Sequence, residues 1–302
     1  MMNRTTKYAN LHLHSIYSDG IATPEELCKI VKEMGYRALA LTDHETIAGC
    51  ARLKKAADEA GLETLIGVEI SATLPDGRET HLTGYDFDQA QSRIHAYLAR
   101  REDEAERMTR LWLAACQKAG LFREITWNDV LEAAPEHAWL CNEHIFSALM
   151  RKAGYTQKDY WAFRDDLFSA RPADLPVSVP LSTQETINMI REAGGVTLIA
   201  HPHELTDSLP LLWSQGLRGA EYDHPDIDDY DSRQVMQFAR THDFYLSGGT
   251  DHTGRPGNSM ERGDWPLVDG KRADTSLLPY DADVVCGSTQ EEFQNLKHRV
   301  FG

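Results

Sequence analysis

Short apolar runs alternate with helical stretches in two separate parts of this chain, and this alternation limits its fold more than any other feature. In the first part, up to about residue 87, the helical stretches lie at 23–35 and 46–61. The alternation returns after about residue 181. The strand-like runs of both parts are 8–14, 38–44, 63–72, 81–87, 196–203, 216–225 and 244–254. Strands that alternate with helices form βαβ units, so we predict an α/β fold with one mainly parallel sheet or barrel.

Between these two parts, at about residues 88–180, the strand pattern disappears and apolar residues recur at helical spacing. We therefore predict a helical insertion at 88–180 that covers one mouth of a discontinuous domain made of 1–87 and 181–302. The tryptophans of this stretch fall at helical positions, and we expect them in the core of the insertion. They are Trp112, Trp127, Trp139 and Trp161.

The overall charge limits the partners of the protein. Its 302 residues include 31 Lys and Arg against 47 Asp and Glu, and the formal net charge is −16. This balance argues against general nucleic-acid binding and against binding to anionic membranes, because both use dispersed Lys and Arg to neutralise phosphates and release counterions. The five cysteines contain no CxxC pair, and no apolar run has the length of a signal peptide or a membrane span. We expect a cytoplasmic protein, and the sequence does not indicate its oligomeric state.

Ionisable side chains recur where the predicted strands end. They are His12 and His14, Asp43 and His44, Glu69, His201 and His203, Asp223 and His224, and Asp251 and His252, with His81 at the start of the fourth strand. In parallel α/β folds the carboxyl ends of the strands form one rim, and ligands bind at that rim. The alternative is that each histidine forms its own local hydrogen bonds and belongs to no shared site. That explanation must then hold independently for six elements. A shared site accounts for all of them at once.

The residue types at this rim indicate the chemistry of the site. Imidazoles mixed with carboxylates are typical ligands of Zn, Mn and Fe(II), whereas Mg and Ca prefer oxygen alone. The ligands are too many for one ion, so we predict two or three divalent metal ions (Mn, Fe or Zn). Neighbouring ions can clamp the attacking and leaving oxygens of a phosphoryl transfer. They would also let an acidic protein bind a phosphate.

Six motifs, taken in order, resemble one protein family. "NLHLHSIYSDG", "ALALTDHETIAG", "GVEISA", "HLTGYD", "AHPH" and "GGTDHTG" are similar to those of the PHP (polymerase and histidinol phosphatase) family of phosphoesterases. The resemblance spans most of residues 8–254. It implies a distorted (β/α)7 barrel and a trinuclear metal centre.

The resemblance also implies three groups of metal ligands. The first is His12, His14, Glu69 and Asp251; the second shares Glu69 as a bridge with His81 and His201; the third is Asp19, His44 and His252. The family commonly has one residue between the last Asp and His, whereas Asp251 and His252 are adjacent here. The backbone must therefore turn or bulge to bring both side chains inward.

The insertion resembles that of PHP phosphatases that act on small molecules. Where the nucleotide 3′,5′-bisphosphate phosphatases carry Arg-Pro-His, this chain has Asn142, Glu143 and His144. The loss of that arginine weakens the nucleotide interpretation. His203 and His224, in "AHPHE" and "YDHPD", are similar to features of the PHP branch that opens phosphoribosyl 1,2-cyclic phosphate and then removes the resulting phosphate.

We therefore expect a phosphoesterase that hydrolyses phosphoribosyl 1,2-cyclic phosphate, diester then monoester, through attack of a metal-activated hydroxide on phosphorus. A nucleotide 3′,5′-bisphosphate 3′-phosphatase, an oligonucleotide 5′–3′ exonuclease and a histidinol phosphatase remain alternatives. A non-catalytic metal-binding PHP module is a different class, and the retained ligands argue against it.

This interpretation also gives candidate catalytic residues and candidate substrate contacts. Glu69, His203 and His224 are candidate catalytic residues, and His203 or His224 would protonate the leaving alkoxide. The candidate substrate contacts are Asn142, His144, His203, His224 and Arg255. His144 also fits a packing or capping role within its helix, and Arg255 also fits a solvated loop.

Overall fold

The computed structural model describes residues 7–134, 136–171, 179–254 and 286–300. Its strands are β1 Ala9–Asn10, β2 Ala38–Leu41, β3 Glu63–Thr73, β4 Glu79–Tyr85, β5 Leu181–Ser182, β6 Val196–Ile199, β7 Gly219–Asp223 and β8 Tyr245–Gly248. Its α-helices are α1 Pro24–Glu33, α2 Cys50–Ala60, α3 Ser92–Lys118, α4 Trp127–Ala133, α5 Asn142–Lys152, α6 Tyr160–Ser169, α7 Thr183–Glu192, α8 Leu209–Gln215, α9 Asp229–Ala239 and α10 Gln290–His298.

The strands form one sheet in the order β1-β2-β3-β4-β6-β7-β8, and the short β5 pairs with β3. Neighbouring strands are parallel except at β4, which is antiparallel to both β3 and β6. A parallel sheet interrupted by one antiparallel strand agrees with the predicted mainly parallel arrangement. Because β4 runs in the opposite direction, its beginning lies at the rim where the other strands end. This direction places His81, near the start of β4, at the same rim as the other histidines.

The sheet curls until its last strand meets its first. The Leu11 amide donates to the Gly248 carbonyl over 3.2 Å, and the Asp251 amide donates to the His12 carbonyl over 3.0 Å. A Cβ on Gly249 would lie 2.4 Å from the His12 Cβ, so only glycine allows this approach. The predicted α/β barrel of seven main strands is therefore confirmed as a nearly closed, barrel-shaped sheet.

Helix α1 illustrates how local sequence builds the layer outside the sheet. The Thr23 hydroxyl accepts from the Glu26 amide, and the Glu26 carboxylate accepts from the Thr23 amide, which forms a capping box. Leu27 and Val31 on this helix are buried in a cluster with Leu39 of β2. The predicted Thr23 cap is thus confirmed. Among the described residues, no helix is both long and apolar enough to cross a lipid bilayer.

The insertion is helical, as predicted, and its long helix α3 packs in two places. Near its start, Ile94 and Leu98 pack against Val68 of the barrel. Near its end, Leu113 joins a separate cluster with Phe146 and Phe163, from α5 and α6. The insertion therefore has a core of its own, and it contacts the barrel through the first turns of α3 and through the segment around Trp139. The boundaries at residues 88 and 180 stay predictions.

The expectation that all four tryptophans form the core of the insertion is correct for two of them. Trp112 and Trp127 are partly buried against that cluster. Trp161 is 53% exposed, so it lies on the surface. The ring of Trp139 lies 5.2 Å from the ring of His44, and this contact directs it toward the barrel instead. Helical spacing alone did not distinguish these positions.

Candidate metal centre

Glu69, on β3, lies at the middle of the predicted ligands and is 1% exposed. Its Oε2 is 3.3 Å from Nε2 of both His12 and His14. The same oxygen is 3.1 Å from the His44 Nδ1. Its Oε1 is 3.0 Å from the His81 Nδ1 and 3.2 Å from the His201 Nε2. The two carboxylate oxygens thus face two different sets of imidazoles, which is the geometry of a bridging ligand.

Asp251 completes a compact group with Glu69 and the two histidines that follow β1. Its Oδ1 is 2.9 Å from the His14 Nε2 and 3.5 Å from the His12 Nε2. All four side chains are buried, and their ligand atoms lie within 4.8 Å of one another. Asp251 has a φ of 49°, in the left-handed region. A turn of the backbone is therefore present at Asp251, as predicted.

A second part of the cluster forms around His44. Asp19 is 3.3 Å from the His14 Nδ1 through Oδ1 and 3.8 Å from the His44 Nε2 through Oδ2. His252 is not part of any group of ligand atoms in the described residues. Its carbonyl accepts from the His14 amide over 3.0 Å, so its backbone pairs with the chain after β1. Its role as a ligand stays a prediction.

Glu221, on β7, is a functional candidate that the sequence reasoning missed. Its two carboxylate oxygens are each 3.1 Å from the His12 Nδ1, and its Oε2 accepts from the His201 amide over 2.8 Å. A carboxylate that accepts from Nδ1–H leaves the Nε2 lone pair available for a metal and fixes the ring. The signal was present as a lone acidic residue in the strand-like run "GAEYD".

The dense packing of charge shifts the pKa values of these groups. Burial lowers the pKa of His14, but Asp19, Asp251 and Glu69 outweigh burial and raise it to about 9. Burial lowers the pKa of His44 to about 4, despite Glu69 and Asp19. His44 is therefore neutral near pH 7, as a metal ligand must be. The carboxylates that raise the pKa of His14 favour positive charge at that position, and a metal ion bound there would supply this charge in place of the proton.

Divalent cations fit this set of side chains. The Nε2 atoms of His12 and His14 and the Oε2 of Glu69 are buried and form no hydrogen bond within the described residues. Buried polar atoms normally have partners, and lone pairs that converge on one point are satisfied by a cation. The nitrogen and oxygen donors match Mn, Fe(II) and Zn. The donor set thus supports divalent metal binding at this rim.

The two further candidate catalytic residues, His203 and His224, lie in different surroundings. His224 is buried, and its Nε2 is 3.8 Å from the Asp251 Oδ2. Its Nδ1 accepts from the Asp226 amide over 3.1 Å, so Nε2 carries the proton of the neutral ring. His203 is exposed on the loop that follows His201 and lies outside the groups of ligand atoms.

The other candidate substrate contacts, His144, Asn142 and Arg255, also have different surroundings. His144 is 2% exposed, and its Nδ1 accepts from the Cys141 amide over 3.0 Å. This arrangement caps the start of α5, so it supports the capping role. Asn142 is half-buried at the wall of a cavity. Arg255 lies outside the described residues.

This cavity, which we call the seam cavity, encloses about 310 Å³ between α3 and the start of α5. Its lining is Arg101, Ala105, Met108, Thr109, Trp112, Trp139, Leu140, Cys141, Asn142 and Glu143. Its walls include two indoles and a thioether together with the charged side chains of Arg101 and Glu143. Because the Trp139 ring contacts His44, the seam cavity begins beside the metal-ligand cluster.

A barrel with convergent imidazoles and carboxylates at one rim defines a class of metal-dependent hydrolases. Comparison with known proteins specifies the class. The model of the PHP domain matches residues 10–125. A phosphoribosyl 1,2-cyclic phosphate 1,2-diphosphodiesterase from Eggerthella lenta is 28% identical over 253 residues, which cover 82% of this chain and 95% of the relative. A 3′,5′-nucleoside bisphosphate phosphatase from Chromobacterium violaceum is 30% identical over 257 residues, covering 80% of this chain and 86% of the relative.

Further relatives are named 5′–3′ exoribonucleases. Among solved structures, a protein from Bifidobacterium adolescentis described as a candidate metal-dependent phosphoesterase has a TM-score of 0.77, with 24% identity and 98% of each chain covered. That likeness supports the fold. The chain belongs to the PHP family and is a metal-dependent phosphoesterase, as the motifs predicted.

Proposed function

We propose that this enzyme hydrolyses phosphoribosyl 1,2-cyclic phosphate, first opening the cyclic diester and then removing the remaining phosphate. The observation that carries the proposal is the position of Glu69, whose two oxygens face separate sets of imidazoles. A site of this kind suits ions on either side of one phosphate. The relative from Eggerthella lenta with this named substrate matches over nearly its whole length, which supports the choice.

The proposed metal ligands are those on which the cluster converges, together with His252 at its edge. They are His12, His14, Asp19, His44, Glu69, His81, His201, Asp251 and His252. When bound, two or three divalent ions (Mn, Fe or Zn) would supply an activated water for attack on phosphorus and would neutralise the phosphoryl oxygens. This charge compensation would let a chain of net charge −16 bind an anion.

The exposure of the ligands indicates the side from which substrate enters. The side chains of His12 and His14 are fully buried, whereas that of His81 is 35% exposed and that of His201 is 20% exposed. Substrate therefore reaches the cluster from the side of His81 and His201. His203 follows His201 on an exposed loop, so we assign it to contact the sugar part of the substrate.

His224 is the proposed residue that assists the leaving group. Its Nε2–H lies next to Asp251, and the Asp226 amide holds the ring in that tautomer. Because burial lowers the pKa of His224 to about 4, the ring is neutral near pH 7; it donates a hydrogen bond to the leaving alkoxide, and solvent water supplies the proton. His224→Ala is expected to slow hydrolysis of poor leaving groups more than that of p-nitrophenyl phosphate esters.

A nucleoside 3′,5′-bisphosphate phosphatase is the second candidate, because the seam cavity has aromatic walls that suit a nucleobase ring. Trp112 and Trp139 line the seam cavity, Trp139 beside the cluster, and bases stack on such aromatic faces. Asn142 at the wall is the corresponding candidate contact. The named activity of the relative from Chromobacterium violaceum agrees with this option.

A substrate panel separates these candidates. The purified enzyme in Mn²⁺ is offered phosphoribosyl 1,2-cyclic phosphate, adenosine 3′,5′-bisphosphate, a short oligoribonucleotide and histidinol phosphate. We expect kcat/KM for the cyclic phosphate to exceed the others by about tenfold or more. A preference of that size for the bisphosphate would replace the first proposal with the second.

A further inference from the structure

A buried ion pair joins the insertion to the loop that carries His44. The Arg101 Nη2 of helix α3 lies 3.2 Å from the Oε1 of Glu45, the residue directly after His44. The Arg101 side chain is 9% exposed and that of Glu45 is fully buried. Buried charges of this kind are costly unless they are paired, so the two side chains depend on each other.

Glu45 holds the segment between β2 and β3 at two points. Its amide donates to the Glu69 carbonyl over 2.8 Å, and its Oε1 accepts from the Ser71 amide over 3.1 Å. Its φ of 53° is in the left-handed region, where a non-glycine residue needs such support. The backbone position of His44 therefore depends on where the Glu45 carboxylate lies.

Other contacts between the insertion and the barrel differ from this pair. Within the described residues, Arg93 pairs with Glu192 and Arg52 pairs with Glu136, and all four side chains are substantially exposed. Exposed pairs contribute little because water screens them. Arg101 is thus the charged contact of the insertion whose loss would leave a buried carboxylate without a counter-charge.

We propose that Arg101 is a positioning residue for the metal centre. By neutralising Glu45 it fixes His44 against Asp19, and the insertion in this way controls how tightly the His44 side of the cluster binds metal. The proposal rests on the proposed ligand role of His44. It does not depend on which phosphate ester is the substrate.

The variant Arg101→Met tests it, because methionine keeps much of the volume and removes the charge. We expect Mn²⁺ affinity, measured by calorimetric titration of the metal-free protein, to fall roughly tenfold. Metal analysis after dialysis is expected to find about one ion fewer per chain than in the wild type. Arg93→Met is the matched control, since it removes an exposed arginine from the same helix, and it is expected to bind Mn²⁺ like the wild type.

A second variant keeps the test decisive if Arg101→Met unfolds. In Arg101→Met combined with Glu45→Gln, the neutral amide keeps an acceptor for Ser71 and needs no counter-charge, so most of the Mn²⁺ affinity should return. Circular dichroism establishes folding before each titration. Wild-type affinity in Arg101→Met, or a double variant that binds no better than the single one, would overturn the proposal. These experiments measure metal binding and not hydrolysis. Their results therefore do not change if the proposed substrate is wrong.

Discussion

The barrel and the insertion use their charged residues in opposite ways. The barrel places imidazoles and carboxylates together in a buried rim, where His12, His14 and Glu69 are almost inaccessible. The insertion, 88–180, contains 14 Asp and Glu against 12 Lys and Arg, so the rest of the chain carries nearly all the net charge of −16. Most of its pairs, such as Lys152 with Glu132, lie at the surface, whereas Arg101 is buried against Glu45 of the barrel. The comparison shows that charged groups are concentrated in a buried ligand cluster in the barrel and lie mainly at the surface in the insertion.

Their packing differs as well. The insertion buries Phe146 and Phe163 in its own cluster, whereas the barrel core is divided into several clusters along the sheet. The two regions meet near Arg101 and Trp139, beside His44. The insertion therefore contacts the candidate metal centre through a few side chains. Four variants test whether the barrel and the insertion differ in this way, from the largest expected effect to the smallest.

Glu69→Gln should have the largest effect, because an amide supplies one oxygen and no charge where both carboxylate oxygens face imidazoles. We expect kcat/KM to fall about 1000-fold for every phosphate ester, which corresponds to several kcal/mol of lost transition-state stabilisation. Steady-state assays check this. Glu63→Gln, at the other end of β3, is the control and should keep wild-type activity. Full activity in Glu69→Gln would refute the bridging role.

Phe163→Ala should weaken the insertion and spare the barrel. Phe163 is fully buried, and removing its ring costs about 3–5 kcal/mol in the free energy of unfolding of the region it supports. Hydrogen exchange measured by mass spectrometry should become faster at 113–167 and stay unchanged in β2. Leu39→Ala, in the barrel core, is the opposite control. Equal acceleration in both regions would mean that they unfold as one unit.

Glu221→Gln should weaken metal binding by about 10–100-fold, because the His12 ring loses its charged acceptor. Calorimetric titration of the metal-free protein with Mn²⁺ measures this. Asp223→Asn is the matched control on the same strand, since Asp223 pairs with Lys7 away from the imidazoles. An unchanged affinity in Glu221→Gln would show that Glu221 has no part in the metal centre.

Trp139→Ala should have the smallest effect, and one that depends on the substrate. We expect KM for adenosine 3′,5′-bisphosphate to rise roughly tenfold, as the loss of one stacking contact predicts, with little change for phosphoribosyl 1,2-cyclic phosphate. Steady-state assays at equal metal content check this. Trp161→Ala removes an exposed indole of the insertion and is the control. Equal changes for both substrates would contradict a ring-binding role of the seam cavity.

Much of the fold and of the candidate site could be predicted from the sequence, because these parts depend on local patterns. The strand-like runs place the ligands at strand ends, and the capping signals at Thr23 mark the start of α1. The antiparallel direction of β4 could not be read, since direction follows from pairing across the sheet. Glu221 was missed for a similar reason, because one acidic residue in a strand becomes informative only when its neighbour, His12, is known.

The sequence "NLHLHSIYSDG" and the motifs after it predicted by themselves the fold class, the family and most of the ionisable residues that lie together at the rim. Tertiary structure alone decided which atoms face each other. It placed Glu69 between two sets of imidazoles, turned the backbone at Asp251 and left His252 outside the groups of ligand atoms. Residue type and spacing fix which chemistry a strand end can offer, whereas distances between distant strands are set only when the sheet closes.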